Sequence, residues 1–177
     1  VADFRNGAST PAGAIQVFGF GAEGDRSPLF STLLANRRPW DLDYDVDADR
    51  LYVAATDGSV LVFDNYIARF VAGAGNRHLN GTQARVIVPA ENGNRVSVNL
   101  HGIVHHRATD ADGNVTHEEL ILTDVGSAAS ATDGQFMTMT LANPATVSGL
   151  TNVDLRVSTP QPGNATCDSD DTTGVLD

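Results

Sequence analysis

Four histidines lie close together in the chain, at His101, His105, His106 and His117. Imidazole nitrogens bind zinc or iron where three or four ligands converge on one point. Alternate side chains of a strand point to opposite faces, so His101 and His105 share one face and His106 lies on the other. The sequence thus offers two ligands for a metal and does not identify a third.

Carboxylates cluster in two other segments, and clustered oxygen ligands are what calcium prefers. The first segment runs from Asp110 through Asp112 to Asn114, with Glu118 and Glu119 beyond it. It does not follow the EF-hand pattern, because its glycine comes one residue after the second aspartate and the glutamate at the twelfth position is missing. An Asp-Gly-Asn sequence is also an ordinary hairpin turn.

The second acidic segment alternates Asp41, Asp43 and Asp45 with apolar residues, followed by Asp47 and Asp49. Alternation places the first three carboxylates on one face of a strand, where they repel one another. A cation would relieve this repulsion, and so would water. The sequence predicts that no cofactor is bound, with calcium at Asp110, Asp112 and Asn114 or at Asp41 and Asp43 as the alternative.

Motifs for nucleophilic catalysis or phosphate binding do not occur in the sequence. There is no Gly-x-Ser-x-Gly and no phosphate-binding loop. The single cysteine, Cys167, lies in an acidic segment, whereas a reactive thiolate needs a positive neighbourhood. The sequence therefore predicts no catalytic residue.

The segment from Arg38 to Asn65 is the clearest structural element. Three short apolar runs, at residues 42–45, 51–54 and 60–63, are separated by Asp-Ala-Asp and Thr-Asp-Gly-Ser. Period-two alternation rich in β-branched and aromatic residues, closed by Asp-Gly, is typical of a β-meander. Residues 66–71 can start a short helix, but Gly73, Gly75 and Gly81 favour a loop. Trp40, directly after Pro39, is expected to be buried where the meander begins.

The meander has a counterpart later in the chain. Residues 41–63 and 102–139 share the order strand, acidic turn, strand, Asp-Gly turn, strand, and residues 13–18 match residues 58–63. A repeat of about 60 residues with four strands is typical of propeller blades. The predicted fold is all-β, with about ten strands: a propeller-like stack of four-stranded antiparallel blades forming an incomplete propeller. The blade parts are 13–35, 39–90 and 100–158, between an N-terminal loop at 1–12 and an acidic Pro-, Thr- and Asp-rich tail at 159–177.

The meander resembles an NHL-type propeller blade of the bacterial extracytoplasmic subgroup. The resemblance rests on residues 38–45, on Asp-Arg-Leu-Tyr-Val-Ala at 49–54 and on Val-Leu-Val-Phe-Asp-Asn at 60–65. It implies a location outside the cytoplasm and a binding or scaffold role more often than catalysis. The alternative from another class is a metal-dependent propeller hydrolase or lactonase, with a divalent ion held by carboxylate, Asn and His ligands at the channel.

The charge and the blade number bear on partners. A net charge of −11 disfavours nucleic acid, and no apolar run reaches the length of a membrane span. A closed propeller needs at least about four blades, and this chain holds about two and a half, so an apolar sheet face is left uncovered. We expect another protein, or further blades of a longer chain, to cover it. The predicted contact residues are His101, at the start of an innermost strand, with Trp40, Arg37, Arg38 and Arg77.

Overall fold

The computed structural model of the chain describes residues 1–3, 12–21, 24–72, 78–80, 83–127 and 134–158. These residues form fourteen strands and one helix, α1, which spans Tyr66–Ala72. The strands are β1 Ala2–Asp3, β2 Ala12–Val17, β3 Phe30–Ala35, β4 Pro39–Asp45, β5 Arg50–Ala55, β6 Val60–Asp64, β7 His78–Asn80, β8 Arg85–Glu91, β9 Asn94–Arg95, β10 Leu100–Thr109, β11 Val115–Asp124, β12 Gln135–Thr140, β13 Gly149–Asn152 and β14 Leu155–Ser158.

The all-β prediction is confirmed. Of the two alternatives left open after Asn65, a short helix or a loop, the structure has the helix at Tyr66–Ala72. The predicted strand number, about ten, is too low. β1, β7 and β9 are only two or three residues long, too short to give an alternating pattern. β13 and β14 are only four residues long and belong to different sheets.

The strands assemble into three sheets. The first sheet has the order β1-β2-β3-β7, the middle sheet β13-β8-β6-β5-β4 with β9 paired to β8, and the third sheet β10-β11-β12-β14. Neighbouring strands are antiparallel except for two parallel pairs, β3 with β7 and β8 with β13. Within the described part of the chain, none of the three sheets closes on itself.

The middle sheet is buried on both faces by the other two sheets. The sequences of the central strands β5 and β6 explain this, because both are apolar at successive positions and so present apolar side chains to both faces. Leu51, Val53, Leu61 and Phe63 face the first sheet and α1, where they pack with Ile15, Leu34, Tyr66 and Phe70. Tyr52, Ala54, Val60 and Val62 face the third sheet, where they pack with Ile103, Leu120, Leu122, Met137 and Met139. The result is a stack of three layers with two apolar cores.

Residues matched by the sequence repeat occupy equivalent places in the middle and third sheets. Leu51 and Leu61 of the middle sheet correspond to Leu120 and Met137 of the third. The first pair faces the first sheet, and the second pair faces the middle sheet. The strand order β4-β5-β6 likewise corresponds to β10-β11-β12. The repeat therefore describes two sheets of one pattern stacked face to face.

The turn between β4 and β5 also positions the helix. Asp49 Oδ1 accepts a hydrogen bond from the Ile67 amide at 2.7 Å, and its Oδ2 accepts one from the Ala68 amide at 2.9 Å. The Tyr44 hydroxyl donates to the same carboxylate at 2.7 Å. Amides in the first turn of a helix lack partners within the helix, so a residue distant in sequence supplies the cap of α1.

Candidate functional site

The edge strands of the middle and third sheets, β4 and β10, meet through aspartate side chains. Asp41 Oδ2 accepts a hydrogen bond from the Ile103 amide at 3.1 Å, and Asp43 Oδ2 accepts one from the His105 amide at 2.8 Å. Amides of an edge strand that point away from its sheet would otherwise lack a partner. The alternation predicted for these aspartates thus places successive carboxylates opposite successive free amides of the next sheet. The two carboxylates of the second candidate calcium site, Asp41 and Asp43, are therefore hydrogen-bonded to backbone amides.

Asp45 continues this row into a buried group of ionisable side chains. It accepts a hydrogen bond from the Arg107 guanidinium. His105 Nε2 lies 2.7 Å from Glu118 Oε1. One ligand atom each of Asp45, His105 and Glu118 lies within 4.8 Å of the others, and all three side chains are at least nine-tenths buried. Two carboxylates and an imidazole at these distances are a ligand set that a divalent metal can use.

Arginines neutralise the two carboxylates of this group. Arg107 Nε lies 3.9 Å from Glu118 Oε2, and Arg50 Nη1 lies 3.8 Å from Glu118 Oε1. Buried carboxylates of this kind are stable only when paired. The guanidinium of Arg107 therefore lies within ion-pair distance of both Asp45 and Glu118.

The other side of the network is held by Tyr52 and Asp64. The Tyr52 ring stacks on His105 with centroids 4.8 Å apart, and burial raises the pKa of Tyr52 to about 12. Arg50 also donates to Asp64 at 2.7 Å, and Arg85 donates to the same carboxylate at 2.7 Å. Partial burial raises the pKa of Asp64, but the two arginines together lower it by more than burial raises it. The net pKa therefore lies below its ordinary value.

Trp40 and His101 lie together, as two of the predicted contact residues. Their rings stack with centroids 3.8 Å apart and planes 7° apart. The expectation that Trp40 is buried is wrong, because 47 % of its surface is exposed. The pairing of β4 with β5 shifts between Pro39 and Asp41, so Trp40 is the extra residue of a β-bulge. A bulge redirects the side chain away from the regular alternation.

The predicted arginine contacts are only partly described. Arg37 and Arg38 are half-buried and line an open groove of about 290 Å³ with Asn36, Thr56 and Asp57. Arg37 Nε is 3.0 Å from Asp57 Oδ2 in an exposed ion pair. Arg77 lies outside the described residues, as does the predicted tail with Cys167. The groove thus brings together the two of these arginines that the structure describes, Arg37 and Arg38.

The Asp110 to Asn114 segment is a tight turn, as its sequence predicts. Asp110 Oδ1 accepts hydrogen bonds from the amides of Asp112 and Asn114 at 2.9 and 2.8 Å. The side-chain amide of Asn114 also donates to Asp110, and this bond is the main cause of the lowered pKa of Asp110. The Asp110 carboxylate is therefore used within its own turn.

The face of the third sheet turned away from the middle sheet, here the outer face, carries an apolar patch that the described residues leave uncovered. Val104 lies opposite Ile121, and Phe136 lies opposite Val157. Leu155 pairs with Thr138 in the same row as Ile121. The exposed fractions are 52 % for Val104, 38 % for Phe136, 50 % for Leu155 and 43 % for Val157. Neighbouring apolar side chains left in water are characteristic of a contact surface.

Sequence reasoning missed Arg107 and Glu118 as partners of Asp45 and His105. Glu118 reaches His105 only through the register of β10 against β11, and Arg107 reaches Asp45 across two sheets. The sequence spacing does contain a signal for the pair Asp45 and Arg107. If Asp41 and Asp43 meet residues 103 and 105, the same step takes Asp45 to residue 107.

No protein-family model, curated protein or solved structure matches the chain. The resemblance to NHL-type blades accordingly rests on the residues quoted for it. Among the described residues, no helix has the length and apolarity needed to cross a membrane.

Proposed function

We propose that this chain is a non-enzymatic binding or scaffold module of the propeller type, which acts outside the cytoplasm. Its binding surface is the outer face of the third sheet. The occupant of that face is a further β-sheet, supplied by a protein partner or by more of the same polypeptide. The module is then an accessory part of a larger assembly.

One observation carries this proposal: the outer face repeats a face that is buried elsewhere in the same chain. The repeat aligns Tyr52 and Val60 of the middle sheet with Ile121 and Phe136 of the third sheet. Tyr52 and Val60 are fully buried by the third sheet, whereas Phe136 is 38 % exposed. The third sheet thus covers this face of the middle sheet, whereas no sheet among the described residues covers the equivalent face of the third sheet.

The arrangement of the edge strands supports a propeller-type stack. β4, at one edge of the middle sheet, contacts both β1 of the first sheet and β10 of the third. In a propeller, the first strands of successive blades are neighbours around a central axis. Because sheets added to such a stack pack face to face, another sheet on the outer face continues the same geometry.

The alternative, a metal-dependent propeller hydrolase, requires a divalent ion on carboxylate and imidazole ligands near the inner strands. Among the described residues, Asp45, His105 and Glu118 form a buried group with that ligand set, its ligand atoms within 4.8 Å of one another. Its carboxylates are paired with Arg107 and Arg50. No specific observation favours catalysis, so binding remains the proposed function.

The test is light scattering on the purified chain over a range of concentration and salt. We expect association through the outer face, and we expect salt to strengthen it because the net charge of −11 opposes contact between copies. The double variant Phe136→Asp/Leu155→Asp should be monomeric and folded, since both side chains are exposed in the single chain.

The matched control is Leu29→Asp, which puts the same charge at a 49 % exposed leucine outside the third sheet. It should associate as the unmodified chain does. A soluble, cooperatively folding monomer of 18.6 kDa at every salt concentration would refute the proposal.

A further inference from the structure

Two histidines and a glutamate come together on the outer face of the third sheet, at the end near the Asp110 turn. The register of β10 against β11 places His106 directly opposite Glu119. His117 is two residues before Glu119 on β11, so its side chain lies on the same face. The pairing of the two strands is regular from Gly102 to Ala108, a stretch that includes all three residues or their partners.

The side chains of this cluster already contact one another. His106 Nδ1 lies 3.2 Å from Glu119 Oε1, and His117 Nε2 lies 3.5 Å from Glu119 Oε2. One carboxylate therefore spans two imidazoles. The histidine side chains are about half exposed and that of Glu119 is 21 % exposed, so water reaches the cluster from one side.

We propose that His106, His117 and Glu119 form a surface site for a divalent transition metal ion of the zinc type. Two imidazoles and a carboxylate are a common protein ligand set for zinc, and water completes the coordination. This departs from the sequence expectation of no metal, because the register of β10 and β11 supplies the third ligand that the histidine spacing did not show.

Side-chain rotation would bring the three ligands onto such an ion. Tetrahedral zinc ligands lie about 2.0–2.2 Å from the metal, which sets neighbouring ligand atoms about 3.4 Å apart. The two nitrogen-to-oxygen distances, 3.2 and 3.5 Å, are each close to this spacing, but they involve different oxygens of Glu119. Among the described residues, the three-ligand group whose atoms already lie within 4.8 Å of one another is the buried one at Asp45, His105 and Glu118. The two imidazole centroids are 6.4 Å apart and need to approach by about 1 Å, which rotation about the χ angles of exposed side chains allows.

The buried group at Asp45, His105 and Glu118 is the less suitable of the two for a metal. A cation there would displace the guanidinium of Arg107 from Asp45. Within the described part of the chain, by contrast, the ion pairs of Glu119 are with the two histidines alone. A metal at the surface cluster would therefore displace no arginine from its carboxylate.

The test is titration of the chelator-treated chain with zinc chloride at pH 7.5, followed by calorimetry, with cobalt(II) absorption as a second readout of imidazole coordination. We expect one ion per chain. His106→Ala, His117→Ala and Glu119→Gln should each weaken binding about tenfold or more, because each removes one ligand. Circular dichroism of the variants checks that these exposed substitutions leave the fold intact.

Two controls separate the possible sites. His101→Ala removes a histidine of the same strand that stacks on Trp40, and Glu118→Gln removes the carboxylate next to Glu119 that belongs to the buried group. Both variants should bind zinc as the unmodified chain does. Absence of zinc binding, loss of binding in Glu118→Gln but not in Glu119→Gln, or equal weakening in all variants would each overturn the proposal.

Discussion

Trp40 and His101 stack in parallel between the edge strands of two sheets, with ring centroids 3.8 Å apart. Trp40 stands at a bulge in β4, and His101 stands at the start of β10. Asp41 and Asp43 join the same two strands through hydrogen bonds to backbone amides. The ring pair therefore lies at one end of the seam between the middle and third sheets and reports on its integrity.

Trp40 fluorescence should titrate with His101. Burial lowers the pKa of His101 below its ordinary value of 6.5, and the Asp124 carboxylate partly opposes this shift. The imidazole is therefore neutral at pH 7 and protonates, quenching the single tryptophan, only at a pH below 6.5. We expect a fluorescence midpoint below 6.5 and a flat profile in His101→Gln. A midpoint above 6.5 would contradict the shift.

The same shift has a consequence for stability with a definite sign. The unfolded chain binds the proton of His101 more tightly than the folded chain, because its pKa is higher when unfolded. The contribution of neutral His101 is fully present above pH 6.5 and decreases as the pH falls from 6.5 towards the folded pKa. Urea unfolding of the unmodified chain and of His101→Gln at pH 7.5 and 5 measures this difference.

Asp43 should contribute to stability through the amide that it accepts. Asp43→Ala leaves the His105 amide without its acceptor, which should cost about 1–3 kcal/mol of unfolding free energy. Asp43→Asn retains a side-chain oxygen in the same place and should cost less. The measurement is urea unfolding at pH 7. Equal losses in the two variants would show that charge, and not the hydrogen bond, is what matters here.

The sequence predicts the meander well because its signals are local. Alternation across β4, β5 and β6 depends on neighbouring residues, and Asp57-Gly58 marks the turn that closes it. Gly58 has a φ of +74°, and a Cβ there would lie 2.7 Å from the Ser97 carbonyl oxygen. Both constraints require glycine at this position, so the turn signal in the sequence has a physical cause.

The candidate sites could be predicted only in part because they depend on register between strands. His106 and Glu119 face each other only if β10 and β11 pair as they do, and residues 110–114 fix that pairing through their turn length. The expected burial of Trp40 is wrong for a related reason. A bulge adds one residue to a strand and breaks the alternation from which burial is inferred.

Asp49 should stabilise the chain as the cap of α1. Asp49→Ala removes the acceptor of two helix amides and should cost about 0.5–2 kcal/mol of unfolding free energy at pH 7. Asp47→Ala, in the same turn with an exposed side chain, is the matched control and should change this free energy by less than about 0.5 kcal/mol.

The cost of Asp49→Ala should also depend on pH. Partial burial raises the pKa of Asp49, but the two helix amides and the Tyr44 hydroxyl together lower it by more than burial raises it. Its net pKa therefore lies below 3.8. The stabilisation by the ionised carboxylate is fully present above pH 3.8 and is lost as the pH falls through the folded pKa. Urea unfolding at pH 7 and pH 3 should show a smaller difference between the two chains at the lower pH. A difference that grows on acidification would contradict this assignment.

Arg107 should be the residue that keeps a metal out of the buried group. Arg107→Ala leaves the carboxylates of Asp45 and Glu118 without their shared guanidinium, which should cost about 3–5 kcal/mol of unfolding free energy. The space and negative charge left behind suit a divalent ion held by Asp45, His105 and Glu118.

Zinc should therefore restore part of the lost stability in Arg107→Ala by binding the folded state. The measurement is thermal unfolding with and without zinc chloride in a His117→Ala background, which removes a ligand of the proposed surface site. In this background the chain with Arg107 should show no zinc-dependent stabilisation, and the Arg107→Ala chain should. Adding His105→Ala to the Arg107→Ala chain should abolish the effect, because imidazole is a good ligand for zinc, whereas calcium and magnesium prefer oxygen ligands. Equal zinc responses with and without Arg107 would show that the guanidinium does not occupy a metal's place.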